Sequence, residues 1–320
     1  MTTDRNGEPG QRGPRPVCPV CGRALPLDGV AEPGCTSCGA RYSRLPSGHS
    51  RLLPRDEEGF QDWWLESEEK RARFLGGHVA REEAGERRLA REFLLPLIQR
   101  LGAGGGTLEQ VLSVGCGSGE DLEVLRGAGL DAWGVDSGGR TLRWGDKGRD
   151  PARYFMADAL RLPFADGVFD MAYSLGVIEH VGTVGDSLEL AADAGERRRA
   201  YAASVVRVVR PGGWIFISCP NRTFPFDFAH GAGRLGFRMH GPGDFLLSYG
   251  DVKRLFIDHA GCRSIRPLPM RGYLDLSAAA AGGGPLMRMA APLFGLYLKA
   301  LPRPLYTSPL YPAVLALIER

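Results

Sequence analysis

The sequence has no uninterrupted apolar run of about 18 residues, so it predicts no membrane-spanning helix. Its longest apolar stretch, Met289 to Leu298, is broken by Pro292 and Gly295. The first residues, Met1 to Pro16, are polar and rich in Gly and Pro. They lack the apolar core of an export signal, so a cytoplasmic location is expected. Excess charge of one sign is also missing. Forty Lys plus Arg against 37 Asp plus Glu give a net +3, too little to imply a nucleic-acid partner by itself. No internal repeat is visible. With 43% apolar and 24% charged residues, wholesale disorder is excluded. The chain is rich in glycine, 45 of 320 residues, and has 23 prolines, so turns should be plentiful. Its length suits about two domains of roughly 150 residues each.

Four of the seven cysteines form two knuckles, Cys18-Pro-Val-Cys21-Gly and Cys35-Thr-Ser-Cys38-Gly, separated by 13 residues. Each turn lets two thiolates converge on one ion, and the following Gly lets the backbone turn tightly enough for amides to point at the sulfurs. Four thiolates fill a tetrahedral Zn²⁺ site and leave no open position. The zinc at Cys18, Cys21, Cys35 and Cys38 is therefore expected to fold the module and not to catalyse; a redox dithiol or a vestigial site is the alternative. A segment this small needs such a staple. With Arg41-Tyr42 and Gly48, it resembles the zinc-ribbon module found fused to, or partnered with, many methyltransferases.

The remaining organisation follows from periodicity. Residues 1–16 read as a disordered tail and 17–55 as the cysteine module. Residues 56–106 read as a helical linker or cap, with Phe74, Leu75, His78 and Val79 on one face and Leu89, Phe93, Leu94 and Leu97 on another. From 107 to 270, short apolar strands alternate with helices. Strands are predicted at 111–114, 131–135, 153–156, 169–174 and 213–219, with a further one at 262–267. Helices fit 119–127, 138–146, 196–210 and 250–260. This alternation predicts an α/β fold with a doubly wound, mostly parallel sheet. Residues 221–248 form an insertion long enough to suggest function. Residues 271–320 form an apolar, Pro-interrupted segment.

After the first of these strands comes Gly115-Cys-Gly117-Ser-Gly119-Glu120-Asp121, where the glycines let a ligand approach the backbone. A pyrophosphate would meet the carboxylates of Glu120 and Asp121 at the helix entry, and the third glycine of the dinucleotide pattern is missing. S-adenosylmethionine carries no phosphate, and its sulfonium and amino groups favour nearby acid. Asp136 ends the next strand, where it can accept both ribose hydroxyls. Asp158-Ala159 ends the third, where the Asp can accept the adenine amine.

Together with Gly176-Val-Ile-Glu179-His180-Val181 and Pro211-Gly212-Gly213, these elements make residues 107–267 resemble the class I S-adenosylmethionine-dependent methyltransferases. The resemblance is particularly to the family that contains the quinone-biosynthesis enzymes (type 11). It implies a Rossmann-like methyltransferase fold, with Gly115, Gly117 and Gly119 flanking the methionine part of the donor. It also implies Asp136 on the ribose, and Asp158 with Ala159 near the adenine.

The carboxyl ends of the fourth and fifth strands face the donor methyl in such a fold, which nominates Tyr173, Ser174, Glu179, His180, Asn221 and Arg222. His180 is the general-base candidate, since imidazole titrates near neutral pH; it also has a purely loop-organising alternative. Phe224, Phe226 and Phe228 either line an acceptor pocket, with Arg222 or His230 holding an anionic or phenolic group, or pack on the C-terminal segment. Cys116, Cys219 and Cys262 are small buried residues. Residues 286–318 carry cations and no acid. They either contact an anionic membrane peripherally or pack on their own domain.

The expected function is methyl transfer to a small-molecule or lipid-linked acceptor such as a quinone precursor, a glycan unit or a secondary metabolite. The alternatives are an RNA methyltransferase that binds RNA through its zinc ribbon and a cofactor-binding scaffold without turnover.

Overall fold

The computed structural model describes residues 14–27, 29–53, 79–104, 107–185, 187–230, 237–241, 243–274 and 285–320, with the backbone alone at 81 and 285–290. Most of the expected N-terminal tail and the helical face of Phe74, Leu75 and His78 lie outside these residues.

One sheet organises the chain. Its strands are β1 (Ser43–Arg44), β2 (Ser50–Arg51), β3 (Gln110–Val114), β4 (Asp131–Asp136), β5 (Tyr154–Met156), β6 (Phe169–Leu175), β7 (Val209–Pro220), β10 (Ser264–Pro267) and β11 (Ala313–Glu319). Their order is β1-β2-β5-β4-β3-β6-β7-β11-β10. A two-residue hairpin, β8 (Phe226–Asp227) with β9 (Arg238–Met239), stands apart from it. From β2 to β7 every pairing is parallel, whereas β11 runs antiparallel to both β7 and β10. The expected doubly wound, mostly parallel sheet is what forms.

The central strands are apolar on both faces because helices cover both. Alternation divides their side chains between two cores. Leu112, Val114, Val135, Phe155 and Ile215 face one core with Tyr201 and Val205; Val111, Ala132, Tyr154, Met171 and Phe216 face the other with Phe93 and Leu97. The covering helices are α1 (Val79–Leu89), which passes through a wider turn at Ala90–Leu94 into α2 (Leu95–Gly102), then α3 (Glu120–Gly127), α4 (Arg143–Asp146), α5 (Ala194–Val208), α6 (Tyr249–Lys253) and α7 (Pro285–Ala300). Among the described residues no helix is long and apolar enough to cross a membrane.

Three boundaries differ from the expected ones. First, the helix before β7 stops at Val208, and Val209 already pairs with Phe169. Pairing resumes at Met171 with Trp214, so Pro211-Gly212-Gly213 is a bulge inside the strand and not only a helix stop. Second, the sheet does not end near residue 270. Ala313–Glu319 is inserted between β7 and β10 over seven register pairs, with Val314 to Ile318 buried. Of the two alternatives for 286–318, packing on the domain is what its last residues do: they are interior strand, and their amides are spent on the ladder. Third, the cysteine module is not a separate bead. β2 extends the sheet by pairing with β5, Val17 donates to Pro163, and Cys18, Leu25, Cys35, Tyr42 and Leu52 belong to the same core as Phe155 and Phe164.

Candidate functional site

The cysteine cluster has the geometry of a tetrahedral thiolate site. All four sulfurs lie within 4.8 Å of one another, with Cys18 Sγ–Cys38 Sγ at 3.6 Å and Cys21 Sγ–Cys35 Sγ at 3.5 Å. Bonds of 2.3 Å to one zinc would set these edges at about 3.8 Å. Gly22 and Gly39 take positive φ of 71° and 77°, as the knuckle turns require. Backbone amides of Arg23, of Cys38 and Ser37, and of Ala40 then point at the sulfurs of Cys21, Cys35 and Cys38. The Tyr42 hydroxyl lies 3.0 Å from Cys18 Sγ.

The glycine loop lies between β3 and α3. Gly115, Gly117 and Gly119 all have positive φ, at 80°, 53° and 74°. A Cβ on Gly115 would lie 2.3 Å from Val177, and one on Gly119 would lie 2.4 Å from the Tyr154 ring, so the loop presses directly on its neighbours. Asp136 at the end of β4 accepts from the Gly117 amide at 2.8 Å and the Gly138 amide at 2.7 Å. A carboxylate offers about four acceptor sites, so two amides leave capacity for a vicinal diol. The loop and Asp136 fit the adenosyl donor. Asp158 follows β5 and caps the turn Ala159–Arg161 through Leu160 N at 2.9 Å.

The charges at the helix entry are arranged differently from the expectation. Glu120 is paired with Arg87, with Lys147 at 2.7 Å and with Arg149 at 2.8 Å, so little of its charge is left to repel a phosphate. Asp121 is buried, accepts from Tyr173 Oη at 2.7 Å, and is pushed up by burial despite that bond. What remains against a dinucleotide is the missing third glycine, since an Asp at the end of this strand accepts a ribose diol of either ligand. Helix α1, whose contribution the sequence did not reveal, lies against the loop. Its Glu82 and Glu86 pair with Arg140, and its Glu83 with Arg143 and Lys147. Burial, reinforced by Asp121, raises the Glu86 carboxyl to about 8.

The acceptor-side nominees separate into two groups. Tyr173 and Ser174 are buried in the core, the first bonded to Asp121 and the second to Val114 O at 2.8 Å. Asn221 is also buried. Its side-chain amide donates to Ser308 O and Tyr311 O, which ties the end of β7 to the chain before β11. Arg222 pairs with Asp251 at 2.7 Å. Each of these four has a partner in the protein's own frame, and Arg222 keeps part of its guanidinium exposed.

Glu179, His180 and His230 do come together. His180 Nε2 and His230 Nε2 are 3.1 Å apart, and Phe245 packs on both rings at 5.6 and 5.0 Å. Burial, then the neighbouring His230, lowers His180 to about 4, so it is neutral at physiological pH. Burial raises Glu179 to about 7. Asp227, which the sequence reading did not single out, accepts from His230 Nδ1 at 3.0 Å and from Arg238 Nε at 2.8 Å. Burial alone would raise it, but His230 and two amides outweigh burial and hold it at about 2. An Asp three positions before the His was the available signal. The aromatics Phe224 and Phe228 pack on Phe294 of α7 at 6.4 and 5.8 Å, as the packing alternative expected.

Asp136→Ala should weaken donor binding. Hydrogen bonds to a charged group contribute about 1.5–3 kcal/mol, or roughly a tenfold to hundredfold change in affinity. Calorimetry with S-adenosylhomocysteine measures it, and equal binding by variant and wild type would remove Asp136 from the donor site.

Among curated proteins, the chain is 32% identical over 103 residues to a malonyl-[acyl-carrier protein] O-methyltransferase of Pseudescherichia vulneris, covering 32% of this chain and 36% of that protein. It is 34% identical over 108 residues to an uncharacterized methyltransferase of Mycobacterium sp. (strain JLS), covering 34% and 37%. The match thus spans just over a third of these relatives' length. Among solved structures, an S-adenosylmethionine-dependent methyltransferase from Mesorhizobium loti aligns at 14% identity and TM-score 0.41, over 69% of this chain and 96% of that one. One from Archaeoglobus fulgidus aligns at 17% and 0.39, over 72% and 94%. Residues 112–217, from β3 to β7 and including the glycine loop, Asp136, Glu179 and His180, match the family model described as a methyltransferase domain.

Proposed function

We propose that this chain transfers the methyl group of S-adenosylmethionine to a small-molecule or lipid-linked acceptor. One coincidence carries the reading: the span that matches a methyltransferase domain is the span in which a positive-φ glycine loop is hydrogen-bonded to the Asp at the end of the next strand. The donor supplies a methyl already activated on a sulfonium, so the protein contributes orientation and exclusion of water more than a strong base. The glycines admit the methionine part against the backbone, Asp136 holds the ribose, and Asp158 with Ala159 borders the adenine. Glu179 and His180 stand on the segment whose Val177 presses on Gly115, which supports an acceptor-side role for them. A quinone precursor, a glycan unit or another secondary metabolite suits this reading.

An RNA acceptor has less support, because the cysteine module is committed to the sheet. Its β2 pairs with β5, and its Arg44 is spent on Val30 O and Gly48 O. The test is to incubate the protein and radiolabelled donor with cell extract. Label is expected in the small-molecule or lipid fraction. Label in RNA would replace the acceptor class, and donor binding without label in any fraction would favour the scaffold.

A further inference from the structure

The sequence reading took His180 as a base and His230 as a holder of an anionic group. Their arrangement has a different character. Glu179 and His180 come from the segment after β6, and His230 from the loop between β8 and β9. The ligating atoms of all three lie within 4.8 Å of one another. The two imidazoles meet Nε2 to Nε2 at 3.1 Å. Two nitrogens bound to one zinc at about 2.0–2.1 Å would be separated by about 3.3 Å.

The orientation of the His230 ring is fixed from behind. Asp227 Oδ2 faces Nδ1 at 3.0 Å, which leaves Nε2 as the ring nitrogen turned towards His180 and Glu179. Asp227 is itself held by the amides of Ala229 and His230 and by Arg238. A carboxylate behind a metal-binding imidazole is the usual outer support of such a ligand. An independent observation points the same way. Glu179 is 1% exposed, and its Oε2 is buried with no hydrogen-bond partner among the described residues, a costly state for a carboxylate oxygen in a finished core.

We propose that Glu179 Oε2, His180 Nε2 and His230 Nε2 bind one divalent transition-metal ion, distinct from the zinc of the cysteine module. Two imidazoles and one carboxylate select zinc, iron or cobalt over magnesium or calcium, which prefer oxygen throughout. Three protein ligands leave an open coordination position, unlike the closed set of four thiolates. That position takes an oxygen, from water or from a hydroxyl-bearing acceptor whose proton the ion makes more acidic. The acceptor role rests on the methyl-transfer reading; the ion site rests on the three side chains alone.

The experiment uses the full chain equilibrated with Zn²⁺, freed of excess metal and assayed for metal per chain. Wild type is expected to hold two equivalents. His230→Ala and Glu179→Gln should each hold one, and the retained cysteine-bound ion reports that the variants are folded. Asp227→Asn should weaken the second ion about 10–100-fold against a competing chelator while leaving the first unchanged. Co²⁺ titration of wild type needs no variant: the thiolate charge-transfer band should saturate first, followed by a second equivalent with visible d–d absorption and no thiolate band. A single equivalent in wild type, or a second one that survives in His230→Ala, overturns the proposal in favour of a His–His hydrogen bond. Methyl transfer is read separately, so two bound ions without turnover would sink the functional reading and leave the site standing.

Discussion

Gly119→Ala is expected to destabilise the protein by about 2–5 kcal/mol and to abolish most of its donor affinity. A left-handed backbone costs an L-residue about 1–2 kcal/mol, and Gly119 sits at φ 74°. Overpacking a filled core costs about 1–3 kcal/mol more. Here the clash is with Tyr154, whose Cε1 would lie 2.4 Å from the new methyl. That ring cannot give way. It is fully buried against Trp144, at 5.5 Å between centroids, and its hydroxyl bonds Glu123 at 2.8 Å and Gly119 O at 3.2 Å. Relief must therefore come from the loop, which would move off Asp136. Gly117→Ala provides the contrast. Its φ of 53° is strained, but the nearest atom is Arg140 Cδ at 3.4 Å, at the end of a flexible side chain. Its stability cost should stay near the backbone strain of about 1–2 kcal/mol. Denaturant unfolding and calorimetry with S-adenosylhomocysteine measure both. If Gly119→Ala matched wild type in midpoint and binding, the loop would have to adopt another backbone than the one described.

Cys35→Ser is expected to remove the cysteine-bound zinc and to lower the thermal midpoint of the whole domain, not only to unfold a terminal appendage. Structural zinc contributes about 10–16 kcal/mol of apparent binding free energy in isolated finger peptides, an upper bound on what the module can lose. The consequence spreads because of where the module sits. Tyr42, Leu52, Cys18 and Cys35 are buried in the core that includes Phe155 and Phe164, and β2 occupies the edge of β5. Without the metal, that edge and those rings meet water. Metal analysis should show one equivalent fewer than wild type, and calorimetric melting should show a single transition shifted downward. A folded variant with unchanged zinc and an unchanged midpoint would contradict the assignment.

Much of this was legible in contiguous residues. The C-x-x-C-G spacing brings four sulfurs within bonding range of one ion because each knuckle is a local turn. The glycines at 115, 117 and 119 read as a ligand loop because strand, turn and helix follow one another directly. The strand and helix alternation from 107 to 270 likewise needs no long-range information, since side-chain period reports the buried face.

What the sequence could not decide is what distant segments do to one another. Tyr173 and Ser174 lie at the end of a strand that faces the donor in the expected fold, yet their polar groups turn inward to Asp121 and Val114, because only the packed sheet shows which face is covered. The run Ala313–Glu319 read as an apolar tail; its place between β7 and β10 depends on pairing partners about 50 and 100 residues away, as in Ile318 with Ile265 and with Ile215. His230 read as a holder of an anionic or phenolic acceptor group, and only folding sets its Nε2 3.1 Å from His180 and its Nδ1 on Asp227. Turn chemistry and periodicity are properties of neighbours along the chain, so the sequence alone determined the cysteine site, the glycine loop and the fold class. Strand order, buried polar pairing and the Glu-His-His cluster come from long-range closure, which only the tertiary structure could decide.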